Sequence, residues 1–368
     1  MIIQSIESFQ VAVPLKKPFK TALRTVTIAE SIYVRITVDD GRVGWGEAPP
    51  THVITGESLA SIRYAIEEVY APLLIGQDLR YNEQAFQKLH KAMVRNTSAK
   101  AAVDMALYDL IAQRAGMPLY QFLGGNKKEL ETDYTVSVNA PAEMSVDAAK
   151  YVANGFNVLK VKVGIGEIAE DIARIKAIRD EIGYATKLRL DANQGWEPKE
   201  AVFAISKMED LGLDIELIEQ PVLAHDFHGL KYVTDHTLTP IMADESVFSV
   251  HDAKTILEMR AADLINIKLM KAGGIYQALK INALAESNGV KCMTGSMIET
   301  KIGITAAAHF AASQPNIQYY DFDAPLMLNF ETISGGVTYK ESKIFFSERS
   351  GLGIEKVNKG GEQDDNIT

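Results

Sequence analysis

The segment "NVLKVKVG" places Lys160 and Lys162 two residues apart, and "LRLDANQ", "ELIEQP", "IMADES" and "LINIKLMKAGG" then supply Asp191, Glu219, Asp244 and Lys268. Side chains alternate along an extended strand, so Leu159, Val161 and Val163 take one face and the two lysines the other. Two ammonium groups directed into a protein interior are costly unless anions balance them. Three carboxylates on the next β-rich runs provide that balance. Oxygen-only donors of this kind suit a hard cation, most often Mg²⁺. Such an ion can hold a substrate carboxylate and stabilise the charge that builds when the adjacent C–H is ionised. Lys162 and Lys268 then stand as the acid and base. Asn193 and Glu245 lie beside the acids as outer-shell candidates.

These residues sit at the ends of a steady alternation of short β-rich runs and amphipathic helices. Strand ends fall near Thr135, Lys162, Asp191, Glu219, Asp244, Lys268, Ser296 and Asp321, at intervals of 24 to 29 residues. Each interval fits one strand, one helix and two loops, and eight strands close a TIM-type barrel whose catalytic groups occupy the C-terminal strand ends. A doubly wound open sheet fits the alternation but leaves the polar strand ends unexplained. In a ring of eight, strands two and six are opposed, so Lys162 and Lys268 face each other and imply inversion at a carbon between them. A purely structural ion network is the bland alternative. Six charged residues holding one phase across five consecutive strands count against it.

Ahead of the barrel, "ESFQVAVPL" and "SIYVRITVDDGRVGWGEAPP" read as strands, the second folding through Asp40-Gly41. "SLASIRYAIEEVYAPLL", "NEQAFQKLHKAMV" and "SAKAAVDMALYDLIAQRAGMPL" carry apolar residues at helical spacing. Residues 1–125 are therefore expected to form an α+β capping domain and 126–325 the barrel. "GGVTYKESKIFFSERSGLGI" reads as further β structure that returns to the cap over about 326–358, and 359–368 as a polar, disordered tail.

Composition bounds the partners. The 368 residues are 47% hydrophobic, enough for a sizeable core, and the net charge of −10 with no basic block argues against nucleic acid or an acidic membrane. The single cysteine, Cys292, cannot form an intrachain disulfide, no apolar run reaches membrane-spanning length, and the opening residues lack a signal-peptide pattern. A cytoplasmic location is expected. Assembly into a homo-oligomer is left open.

Together, "KVK", the acids of "LDANQ", "IEQP" and "ADES", and "NIKLMKAGG" resemble the enolase superfamily, in particular its muconate-lactonizing subgroup, over nearly the whole chain. The resemblance implies a modified (β/α)₇β barrel with an N-terminal α+β cap, Mg²⁺ held by Asp191, Glu219 and Asp244, and an enolate intermediate. It implies acid/base roles for Lys162 and Lys268, and a substrate-carboxylate role for Lys160.

The core motif leaves the substrate open, and "YYDFDAP" narrows it. Asp321 and Asp323 on strand eight would leave the same face, across the ring from the metal, where a substrate ammonium is their natural counterion. A solvated turn is the competing reading of this motif. The Asp-x-Asp pattern resembles the dipeptide epimerases of the subgroup, isomerases that hold the peptide amino terminus there. Thr135 and Ser296 flank strand eight and Ile298 can add backbone groups. Arg24, in the polar stretch "KKPFKTALRT", is placed to take a distal carboxylate. The resemblance thus implies inversion of the C-terminal residue of L-Ala-D/L-Glu, in murein peptide breakdown. N-acylamino acid racemase and o-succinylbenzoate synthase activities on the same core are the alternatives. A zinc hydrolase is disfavoured because the seven histidines include no His-x-His pair.

Overall fold

Alternating apolar residues over β1 (Ile3–Lys20) and β2 (Thr25–Val38) pair the two strands antiparallel, and β3 (Val43–Ala48) adds to the far side of β2. The computed structural model describes residues 1–358, so the expected disordered tail lies outside the described residues. The polar stretch "KKPFKTALRT" forms the tip of the β1–β2 hairpin. After a register shift beyond Pro14, Phe19 pairs with Val26 and Lys20 with Thr25, leaving residues 21–24 as the turn. The Thr21 N–H closes it onto the Arg24 carbonyl at 3.0 Å. Arg24 is thereby carried on paired backbone.

"SLASIRYAIEEVYAPLL" folds as α1 (Leu59–Tyr64), a π-helical turn (Ala65–Tyr70) and α2 (Ala71–Leu74), started by a Ser58/Ser61 capping box. Next come α3 (Asn82–Ala92) and α4 (Thr97–Ala115), which stops at left-handed Gly116. Almost every α4 residue is buried, and its backbone touches β3. A Cβ on Gly46 would lie 1.8 Å from the Ala102 carbonyl oxygen, and one on Gly44 2.2 Å from that of Ala106, so only glycine fits.

After α5 (Leu119–Phe122) and the short β4 (Glu129–Glu131), eight parallel strands follow in spatial order. They are β5 (Tyr134–Val136), β6 (Val158–Lys162), β7 (Lys187–Asp191), β8 (Ile215–Glu219), β9 (Ile241–Ala243), β10 (Leu264–Lys268), β11 (Lys291–Gly295) and β12 (Ile317–Tyr320). The helices between them are α6 (Pro141–Ala153), α7 (Ile168–Ile182), α8 (Pro198–Asp210), α9 (Phe227–His236), α10 (Val250–Met259), α11 (Leu269–Ala272), α12 (Ile275–Ser287) and α13 (Lys301–Ser313). β5 and β12 meet across a seam, where the Asp133 N–H reaches the Tyr320 carbonyl at 3.3 Å and the Phe322 N–H reaches Thr132 Oγ1 at 2.8 Å. The mixed α/β architecture is that of the capped barrel expected from sequence.

Strand register builds the site in layers. Lys162 pairs with Asp191 and Asp191 with Glu219. Earlier on their strands, Leu217, Met242, Leu264 and Met293 form an apolar floor. The strand ends fall near the expected residues, but Asp323 is not on a strand. β12 stops at Tyr320, and Asp323 already has helical backbone angles as it enters a 3₁₀ turn (Ala324–Met327). Pro325 has no N–H with which to continue the ladder.

The C-terminal return forms β13 (Ile333–Gly335), β14 (Thr338–Lys340), β15 (Lys343–Phe345) and β16 (Ile354–Val357). β13 pairs with β16, and β15 joins β14 to β4, a pairing the sequence reading did not include. Contact with the N-terminal elements runs through Asp109 of α4, which accepts the Trp45 N–H at 3.1 Å and the Leu352 N–H at 2.9 Å.

Candidate active site

Above the apolar floor the barrel carries a buried layer of charge. Lys160 Nζ lies 2.7 Å from Glu219 Oε2, 2.8 Å from Asp321 Oδ2 and 3.1 Å from Asp191 Oδ2. Lys162 Nζ lies 2.5 Å from Asp191 Oδ2, and Lys268 Nζ 2.7 Å from Asp244 Oδ2. A fourth lysine, Lys271, lies 2.7 Å from Asp244 Oδ1 and also donates to the carbonyls of Val247 and Asn266 at 3.1 Å. "KLMKAGG" contains it, but no role was drawn from the sequence. Its inward path through α11 depends on the turn that follows β10.

The charges shift one another's titration. Burial alone would raise Asp191, yet Lys162, Lys160 and Lys268 bring it down to about 2. Asp244 is likewise opposed by burial and held well below the usual range by Lys268 and Lys271. Burial and the neighbouring Asp191 push Glu219 up to about 7, and burial and Asp244 push Glu245 up to about 8. On Lys160, desolvation is outweighed by Asp321, Glu219 and Asp191, which hold its ammonium well above the ordinary range. Lys268 is raised in the same way by Asp244 against burial.

Among the described residues no three acidic, histidine or cysteine side chains form a closed cation cage, because lysine ammoniums lie between the carboxylates. The donor set nevertheless fits a hard divalent ion. Asp191, Glu219 and Asp244 are fully or almost fully buried, come from consecutive strands and offer only oxygen. Burial, with the like charge of neighbouring acids, raises Glu219 and Glu245, and a cation would favour their ionised forms. Asn266 holds Glu219 through an Nδ2–H to Oε1 bond of 2.9 Å. Asn193 donates its backbone N–H to Asp191 Oδ1 at 2.9 Å and its side chain to Glu245 Oε1 at 3.1 Å, so it links Glu245 to one of the three acids.

One cavity opens above this layer. It is lined by Lys160, Lys162, Asn193 and Lys268 on the barrel side, by Thr135, Ser296, Ile298, Asp321 and Asp323 on the rim, and by Phe19 and Arg24 from the cap hairpin. Asp191, Glu219 and Asp244 are buried and do not line it, and Glu245 lines a neighbouring cavity with Ser246. Asp321 and Asp323 do not form the symmetrical strand pair expected from sequence. Asp321 is held low by Lys160 against burial, whereas burial and the charge of Asp321 push Asp323 up to about 7. Asp323 Oδ2 also accepts the Thr135 N–H at 2.6 Å across the barrel seam. Ser296 Oγ donates to the Asp321 carbonyl at 3.3 Å.

Arg24 is partly buried and its guanidinium has no hydrogen bond or ion pair among the described residues; desolvation lowers its pKa. A desolvated, unpaired guanidinium is poised for an anion. Phe19 was not singled out in the sequence, although its ring centroid lies 5.8 Å from Lys162 Nζ. Glu47 was missed as well. It accepts the N–H groups of Thr300 and Gly303 at 2.8 Å and the Ser31 hydroxyl at 2.7 Å, which fastens β3 to the start of α13 and the rim loop before it.

Residues 143–359 match the family described as "Enolase C-terminal domain-like", and residues 3–124 match the "Mandelate racemase / muconate lactonizing enzyme, N-terminal domain". The chain is 62% identical to the L-Ala-D/L-Glu epimerase of Bacillus subtilis over 96% of its own length and 97% of that protein. The substrate-liganded structure of that epimerase superposes with a TM-score of 0.96, covering 96% of this chain and 99% of the other. A dipeptide epimerase of Enterococcus faecalis, solved with Mg and L-Leu-L-Tyr, is 45% identical with a TM-score of 0.93, covering 96% and 99% of the two chains. The N-succinyl-L-Arg/Lys racemase of Bacillus cereus is 35% identical over 96% of this chain and 95% of its own. No described helix is long and apolar enough to cross a membrane.

Proposed function

This chain belongs to the enolase superfamily, and from that premise we propose that it is an Mg²⁺-dependent dipeptide epimerase that inverts the C-terminal residue of L-Ala-D/L-Glu. The observation that carries the reading is one cavity lined at once by Lys162 and Lys268, by Asp321 and Asp323, and by Arg24. Asp191, Glu219 and Asp244 would hold the cation, which when bound supplies a Lewis acid for the substrate carboxylate and for charge building on it. Lys160 Nζ adds positive charge beside the same carboxylate.

The chain's own groups divide the remaining work. Lys162 Nζ takes the α-proton from one face, and Lys268 Nζ, which stands as an ammonium, returns a proton to the other. For the opposite diastereomer the roles exchange, which is a 1,1-proton transfer. Asp321 and Asp323 hold the peptide ammonium, with Thr135, Ser296 and the Ile298 backbone aligning the peptide. Arg24 takes the side-chain carboxylate, and the hairpin carrying Phe19 and Arg24 excludes water. Peptides of this kind arise from murein breakdown.

An N-acylated substrate has no α-ammonium to set against two carboxylates, and only one with a cationic side chain could replace it, so the racemase reading fits the rim less generally. Incubation of L-Ala-L-Glu with the Mg²⁺-loaded protein in D₂O is expected to give α-deuterated product of both configurations, abolished by a chelator. Absence of exchange at the α-carbon would refute the proposal.

A further inference from the structure

We infer that the buried pair Asp171 and Arg174, on the helix behind barrel strand two, is a positioning clasp that sets the Lys162 face of the site and leaves the Lys268 face untouched. Asp171 is wholly buried and Arg174 only 8% exposed, and neither lines the cavity. Asp171 Oδ2 accepts the Gly164 N–H at 2.9 Å and the Trp196 indole N–H at 3.0 Å, while Oδ1 takes Arg174 Nη1 at 2.7 Å. The same Nη1 donates to the Ile165 carbonyl at 2.7 Å, and Arg174 Nε donates to the Asn139 carbonyl at 3.0 Å. One ion pair therefore gathers the segments that leave β5, β6 and β7.

Little slack separates this clasp from the base. Gly164 follows Lys162 by two residues, and the Val163 N–H between them is fixed to the Asp191 carbonyl at 3.0 Å. Gly164 has a φ of +86°, and a Cβ on it would lie 2.5 Å from the Ala192 carbonyl oxygen. A backbone in the left-handed region against a neighbouring loop holds its shape only while its surroundings over-determine it. The clasp also reaches the cap. Lys20 Nζ donates to Asn139 Oδ1 at 2.8 Å, and Lys20 adjoins Phe19, whose ring lies over Lys162.

No bond of Asp171 or Arg174 among the described residues reaches the segments after β9, β10 or β11, where Lys268 is held. An apolar pair of similar volume would pack α7 against the sheet without the desolvation cost of a buried ion pair. What the ion pair adds is direction, through donors and an acceptor aimed at three loops.

The inference rests on the two-base reading above. The test follows α-hydrogen exchange in D₂O by proton NMR for L-Ala-L-Glu and L-Ala-D-Glu separately, with the Mg²⁺-loaded full chain. Lys162→Ala identifies the diastereomer that Lys162 deprotonates as the one whose exchange it loses. Arg174→Lys keeps the charge but not the planar fork. It is expected to slow that diastereomer about tenfold to hundredfold, as an ångström-scale misplacement does, and to hold the other within about twofold. Asp171→Asn, nearly isosteric, is expected to give the same asymmetry and serves if Arg174→Lys does not fold. Equal slowing of both diastereomers, or none of either, would overturn the clasp while leaving the epimerase reading intact. A wild-type protein that exchanges neither would overturn both.

Discussion

Lys160 Nζ and Asp321 Oδ2 meet at 2.8 Å and join the second barrel strand to the segment leaving the eighth. The same ammonium touches Glu219 and Asp191, so the rim aspartate and the proposed cation ligands share one lysine. The two rim aspartates are thereby made unequal. One is ionised against Lys160, and the other is pushed up by burial and by its neighbour.

Asp321→Asn removes that ionised acceptor while keeping the shape of the rim. A charge-assisted hydrogen bond contributes about 1.5–3 kcal/mol, so kcat/KM for L-Ala-L-Glu is expected to fall roughly tenfold to hundredfold, chiefly through KM. Steady-state kinetics by polarimetry checks this, and a loss below about threefold would remove the ammonium site from Asp321.

Arg24→Ala tests the second side chain. KM for L-Ala-L-Glu is expected to rise about tenfold or more, with L-Ala-L-Leu unaffected or improved, because only the first offers a carboxylate to the guanidinium. An equal change for both peptides would show that Arg24 does not read the side chain.

Glu47→Ala leaves the Thr300 and Gly303 N–H groups and the Ser31 hydroxyl without their acceptor. Each buried donor left unpaired costs about 1–3 kcal/mol, so a loss of about 3 kcal/mol or more is expected in urea unfolding. A loss below about 1 kcal/mol would mean that the cap is held to α13 by packing alone.

His309 gives a pH dependence of known sign. Burial lowers it to about 3, and its Nδ1 accepts the Tyr120 N–H at 2.9 Å. The unfolded chain protonates first on acidification, so the contribution of neutral His309 is complete above pH ~6.5 and is lost as pH falls toward 3. At pH 5 the loss is about 2 kcal/mol. His309→Asn keeps an acceptor for Tyr120 but does not titrate. The stability gap between the two proteins in urea is therefore expected to narrow by about that amount from pH 7.5 to 5, and a constant gap would contradict the assignment.

Much of the barrel and its charged layer was legible because charge at strand ends is incompatible with an ordinary buried strand. Lys160, Lys162, Asp191, Glu219, Asp244 and Lys268 each stand at or near the end of a β-rich run. The hairpin under Arg24 was not legible, since "KKPFKTALRT" is polar and its pairing follows from register with β2 rather than from periodicity. Neither was the inequality of Asp321 and Asp323, which depends on Lys160 reaching across the barrel. Asp171 and Arg174 gave no signal because most of their partners are backbone atoms of distant loops. Lys271 was visible as a residue, but its direction was fixed only by α11.

Two-base inversion is the central claim, and the single-lysine variants test it most directly. Lys162→Ala and Lys268→Ala are each expected to lose net epimerisation of L-Ala-D/L-Glu by about 10³-fold or more. Each is expected to retain α-hydrogen exchange in D₂O with one diastereomer, and the retained diastereomer should be opposite in the two variants. Exchange of the same diastereomer by both, or epimerisation by either at a rate near wild type, would contradict the account.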